Sequence, residues 1–105
     1  MVLKLYGHKV QVANDGLTGL ELTRNAQPDV LLLDIGLPGM DGYQVARTLR
    51  SDGFDRKIVA ITGYGTSVDK EQTKDAGFDY HMVKPIDPPE LERLLNTEVS
   101  NSLTT

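Results

Sequence analysis

Pro28-Asp29-Val30-Leu31-Leu32-Leu33-Asp34-Ile35-Gly36-Leu37-Pro38-Gly39-Met40-Asp41-Gly42 is the stretch on which the fold turns. Val30 to Leu33 are four consecutive apolar residues without alternation. A strand of this kind has both faces covered, which favours an inner strand of a parallel sheet. Asp34 ends that run. A carboxylate there is costly unless it is paired, bound to a metal, or held at the strand's accessible C-terminal end. In open α/β sheets, ligands bind along that edge. The Gly and Pro residues beyond Asp34 describe a tight loop over such a place.

Working outward, the chain reads as alternating elements. Met1 to Tyr6 read as the end of a helix stopped by Gly7, since glycine readily takes the left-handed backbone of a helix terminus. His8 to Ala13 alternate as a short strand, and Asn14-Asp15-Gly16 form a turn. A helix from about Leu17 to Ala26 follows, with Leu17, Leu20 and Arg24 on one face. Gly19 is its weak point, at about 1 kcal/mol against Ala. After the Asp34 strand, Asp41 caps a helix over Gly42 to Arg50 with Val45, Ala46 and Leu49 turned inward. Lys57 to Thr62 form the next strand, and Thr62-Gly63-Tyr64-Gly65 a loop. A polar helix runs from about Ser67 to Ala76 and stops at Gly77. Phe78 to Val83 form the last strand, ended by Lys84-Pro85. Pro88-Pro89 open a final helix carrying Leu91, Leu94, Leu95 and Val99. Residues 1–99 are expected to form one domain, and 100–105 a flexible tail. This alternation implies right-handed crossovers and a parallel sheet.

The bulk numbers exclude several classes. With 105 residues there is chain for one modest core. Hydrophobic residues at 39% and charged residues at 25% describe an ordinary folded domain. A formal net charge of -4, with no cluster of Lys and Arg, argues against a nucleic-acid surface. The absence of cysteine removes disulfides and thiolate metal sites. No membrane span or signal-peptide pattern is visible, so a cytoplasmic domain is the expectation.

Three strands end in a reactive group: Asp34, Thr62 and Lys84. In a parallel sheet these ends share one edge, so an acid, a hydroxyl and an ammonium can converge. The carboxylate can act as a nucleophile toward phosphorus, while the hydroxyl and the point charge hold phosphoryl oxygens. Backbone N–H groups after Asp34 and near Gly63 add donors.

Read together, Pro28 to Asp34, Leu37-Pro38-Gly39-Met40-Asp41-Gly42, Ile61-Thr62-Gly63-Tyr64 and Lys84-Pro85 resemble the receiver domain of bacterial two-component response regulators. The wording Gly-Leu-Pro-Gly-Met-Asp-Gly-Tyr, with Gly-Phe-Asp before the last strand, is similar to receivers at the C-terminus of hybrid histidine kinases. The resemblance implies a flavodoxin-like, doubly wound parallel sheet. It implies that Asp34 accepts a phosphoryl group from a histidine kinase or histidine phosphotransfer protein, and that Thr62 and Lys84 contact that group. His81, three residues before Lys84, takes the place of the family's aromatic switch. The Lys84-Pro85 bond is a candidate cis bond. The resemblance also implies Mg²⁺ on Asp34, on the Gly36 carbonyl and on an acidic pair that ends the family's first strand.

That pair is not in this sequence. The expectation is a domain shortened at its N-terminus, without the first, central strand and most of the first helix. The Asp34 strand would then keep an unpaired edge through which two copies could associate. Two other functions compete. One is an interaction module that takes no phosphoryl group. The other is a haloacid-dehalogenase-like phosphatase, whose second acid would fall at position 36, which is glycine. A phosphoacceptor signalling domain, not an enzyme, is the expected reading.

Overall fold

The computed structural model describes residues 2–5, 7–13, 16–36, 41–63 and 70–95. The expected loop at 37–40, the turn at 14–15, the helix start and loop at 64–69 and the tail from 96 lie outside the described residues. Five strands form one sheet: β1 (Val2–Leu5), β2 (His8–Ala13), β3 (Val30–Asp34), β4 (Lys57–Thr62) and β5 (Tyr80–Val83). Four helices connect or follow them: α1 (Gly16–Ala26), α2 (Gly42–Ser51), α3 (Lys70–Ala76) and α4 (Pro88–Leu95). The spatial order is β1-β2-β3-β4-β5. Strands β2 to β5 run parallel, and β1 is antiparallel to β2.

The apolar runs dictate this arrangement. All five residues of β3 are buried, as are the last five of β4. Their side chains alternate between two cores. Ala13, Leu31, Leu33, Ile58 and Ala60 face one side, where Val45, Ala46 and Leu49 of α2 and Ala76 of α3 meet them, with Leu20 of α1 packed alongside. Val10, Val30, Leu32, Val59, Ile61 and Met82 face the other, under Leu91, Leu94 and Leu95 of α4. Helices on both faces are what strands without polar alternation require, and the flavodoxin-like, doubly wound class holds. Tyr43 packs edge-on against Phe78, with ring centroids 6.1 Å apart. Asp41 caps α2 by accepting a hydrogen bond from the Gln44 N–H at 3.1 Å.

Two expectations are corrected. Residues 2–5 form a strand, not the end of a helix, with Val2 opposite Gln11 and Leu5 opposite His8. A few residues cannot meet the cost of helix nucleation, whereas the outer edge of β2 offers a row of backbone donors and acceptors. Gly7 does adopt a left-handed backbone (φ 83°), but as a hairpin turn. The second correction concerns β3. It has no free edge, because β2 pairs with it on one side and β4 on the other. The sheet's outer strands are β1 and β5, so self-association through an open Asp34 strand has no structural ground.

The end of the sheet opposite Asp34 is tied by Arg50. Its guanidinium donates to the carbonyls of Gly77 at 2.8 Å, Phe54 at 2.8 Å and Arg56 at 2.7 Å, and to the Asp79 carboxylate at 2.8 Å. One side chain thus joins the C-terminal end of α2, the entry to β4, the end of α3 and the entry to β5. The Asp79 carboxylate also accepts from the Ile58 N–H at 2.9 Å. The last strand begins at Tyr80 and not at the expected Phe78, because Asp79 is committed to this clamp.

Gly19 is explained by packing and not by its helix propensity. A Cβ there would lie 2.8 Å from the Ala13 Cβ, so α1 rests on β2 at the closest approach its backbone permits. Replacing Gly19 by Ala gains about 1 kcal/mol of propensity but forces two rigid groups apart, at about 1–3 kcal/mol. Gly19→Ala is therefore expected to lower stability in urea melts, and Ala13→Gly added to it is expected to recover part of the loss. A Gly19→Ala chain more stable than the parent would contradict this packing.

Candidate functional site

The register of the parallel strands builds the site. Asp34 lies opposite Ile61, and Thr62 opposite Val83. The ladder continues past the strand ends: the Ile35 N–H donates to the Ile61 carbonyl at 3.0 Å and the Lys84 N–H to the Thr62 carbonyl at 2.8 Å. Asp34, Thr62 and Lys84 are thereby delivered to one edge by three neighbouring strands, which are spaced by about 4.8 Å each. The Lys84-Pro85 peptide bond is cis.

Asp34 is almost fully buried, and both its oxygens are engaged. Oδ1 accepts from the Gly36 N–H at 2.9 Å, and Oδ2 accepts from the ammonium of Lys84. The two residues are fifty positions apart in sequence, and the lysine side chain is half exposed while the carboxylate is covered. A desolvated carboxylate is thus held by one backbone dipole and one cation, which is what makes its burial tolerable.

Thr62 is completely buried. Its hydroxyl and His81 Nε2 are hydrogen-bonded at 2.7 Å. His81, on β5 opposite Ala60, is half-buried. Burial, and secondarily the ammonium of Lys70 at the start of α3, hold its pKa below the ordinary histidine value. The site therefore consists of two bonded pairs on adjacent strand tips, Asp34 with Lys84 and Thr62 with His81. The sequence reading singled out all four residues and the Gly36 backbone. What it missed is that His81 is bonded to Thr62 directly. The only signal for that was the strand register, which sets β5 beside β4.

The expected Mg²⁺ does not fit the donors described. Among the described residues no group of three or more His, Asp or Glu side chains could hold a metal. One carboxylate, already bonded through both oxygens, and one backbone carbonyl fall well short of the roughly six oxygens that Mg²⁺ takes. Asp41, seven residues on, is occupied as a helix cap.

Known proteins resemble this chain in sequence and in fold. MprA, a response regulator of Mycobacterium leprae, is 38% identical over 89 residues, which cover 85% of this chain and 39% of that protein. The chain thus spans well under half the length of the curated relatives it matches. Among solved structures, the receiver domain of AraT, a response regulator from Geobacillus stearothermophilus, is 30% identical with a TM-score of 0.68. That match covers 79% of this chain and 64% of the other. The receiver domain of the Francisella response regulator 1452 is 26% identical with a TM-score of 0.67, covering 82% and 71%. The pattern of the response regulator receiver domain matches residues 1–96. With that match over most of its length, and with the acid, hydroxyl and ammonium at one edge of its sheet, the chain belongs to the response regulator receiver domain family.

Proposed function

We propose that Asp34 is the phosphoacceptor of this receiver domain, taking a phosphoryl group from the phosphohistidine of a histidine kinase or histidine phosphotransfer protein in the cytoplasm. The observation that carries the reading is the Lys84 ammonium on the carboxylate at the tip of β3. In the step, a carboxylate oxygen of Asp34 attacks phosphorus and forms an O–P bond. The N–P bond to the donor breaks, and the nitrogen keeps the electron pair. The carboxylate must be ionised and aimed, and the Gly36 N–H fixes its rotation by holding Oδ1. Lys84 supplies the compensating charge as the phosphoryl oxygens approach, which is positioning and electrostatic work and needs no covalent role.

The product carries about one more negative charge than the free carboxylate. That charge draws on the donors at the same edge, Lys84 and the Thr62 hydroxyl. Thr62 leads into the segment before α3, so a shift of Thr62 biases the position of that helix and with it a protein-binding surface. The chemistry makes this a signalling domain with no turnover of its own. The output of the longer relatives, including a Staphylococcus aureus protein described as a DNA-binding response regulator of the LuxR family, would belong to other parts of such a protein. This chain's acidic balance gives the receiver itself no nucleic-acid surface. No described helix is long and apolar enough to cross a membrane.

Acetyl phosphate or phosphoramidate, followed by intact-mass spectrometry, tests the assignment. A gain of one phosphoryl group is expected, absent in Asp34→Asn and slowed at least about tenfold in Lys84→Ala. An undiminished gain in Asp34→Asn would reject Asp34, and no gain in the parent chain would favour an interaction module. Thermal melts with and without millimolar Mg²⁺ check the donor count separately. An unchanged Tm is expected, and a clear rise would mean that a full metal site exists.

A further inference from the structure

Thr62 and His81 are hydrogen-bonded at 2.7 Å across adjacent strand tips. We propose that His81 positions the Thr62 hydroxyl, and that protonation of its ring and phosphorylation of Asp34 each favour the other. This rests on Asp34 as phosphoacceptor and adds a proton to the switch.

The Thr62 hydroxyl is enclosed, and among the described residues it is bonded to His81 Nε2 at 2.7 Å; a phosphoryl oxygen arriving on the neighbouring strand tip would be a second partner. A hydroxyl has one hydrogen to donate. When Nε2 carries no proton, the hydroxyl donates to the ring and presents only lone pairs to the phosphoryl oxygens, an unfavourable pairing. When Nε2 carries a proton, the ring donates to Oγ1, and the hydroxyl hydrogen is free for the phosphoryl group. The imidazolium is the state in which Nε2 is always a donor. Protonation thus removes the competing arrangement and adds a positive charge near the new negative one.

The surroundings of the ring set the resting state. Lys70 on α3 faces it with a positive charge, Thr62 on β4 with a neutral hydroxyl, and its register partner Ala60 with no polar group. Asp34 and Lys84 at the same edge form an ion pair before phosphorylation, so this pair brings no net charge to oppose Lys70. Burial, and secondarily Lys70, disfavour the protonated ring. A phosphoryl group on Asp34 reverses that balance. By linkage, whatever factor phosphorylation adds to proton affinity, protonation adds to the stability of the phosphorylated form.

The test uses the whole chain. Phosphoryl occupancy after acetyl phosphate is read by intact mass at about pH 5.5 and about pH 7.5, either side of the ordinary histidine value. Each value is divided by that of His81→Phe at the same pH, which removes the pH dependence of the donor. The parent-to-variant ratio is expected to be larger at the lower pH, by up to about threefold for a shift of about half a pH unit in the ring's titration. Equal ratios at both pH values, with Asp34 phosphorylated, would overturn the coupling and leave the phosphoacceptor reading intact. No uptake at either pH would overturn both.

A second arm needs no phosphate. The His81 titration midpoint, followed by NMR, is expected to fall in Thr62→Val, because the imidazolium loses a charge-assisted acceptor. A midpoint unchanged or raised by Thr62→Val would show that the hydroxyl does not support the protonated ring, and would overturn the proposal.

Discussion

A carboxylate enclosed at the tip of an inner strand is unstable unless a cation reaches it, and here the cation comes from fifty residues away. Lys84 can reach Asp34 only if β3, β4 and β5 are neighbours, parallel and in the register observed. The ion pair is therefore a statement about the whole sheet. The sheet in turn is fixed by two apolar layers that alternate along the strands, with α1 to α3 on one side and α4 on the other. Arg50 secures the far end by joining four elements through carbonyls and one carboxylate. The reactive end is thus held by charge and the opposite end by a hydrogen-bonded clamp, with tightly packed apolar side chains between them.

The two pairs at the reactive end differ in a way that matters for signalling. The Asp34–Lys84 pair is ionic, and its lysine is half exposed, so the ammonium can follow a phosphoryl oxygen outward with little loss of hydration. In the Thr62–His81 pair the protonated ring is disfavoured and the hydroxyl is enclosed, so any change of partner there must move protein groups. The first pair suits charge compensation, while the second suits transmission, because Thr62 is followed by the segment that leads to α3. The described donors do not complete a magnesium site. On the proposed reading, the phosphoryl oxygens are met by Lys84, the Gly36 N–H and the Thr62 hydroxyl.

Much of this was legible from local signals. The runs ending at Asp34 and Thr62 are long and unbroken, and glycine or proline follows each strand tip. Helix α2 shows its cap, Asp41, and its inward residues at helical spacing. What was not legible depends on partners distant in sequence. Residues 2–5 have no intrinsic preference strong enough to decide between a helix end and a strand, and the open edge of β2 decides it. Gly19 reads as a defect in a helix until its 2.8 Å approach to the Ala13 Cβ is known. His81 was marked by its place before Lys84, but its bond to Thr62 follows from the β4–β5 register, which no local pattern encodes. The pairing of β3 on both sides is likewise a property of the assembled sheet.

The most direct test of the account is a double-mutant cycle on the pair that certifies the convergence of the strand tips. Stability in urea would be measured for the parent, Asp34→Asn, Lys84→Met and the double variant. The account predicts a coupling energy of at least about 1 kcal/mol, outside the range seen for independent sites. Additivity of the two substitutions to within about 0.3 kcal/mol would contradict it, since the carboxylate and the ammonium would then not meet in solution.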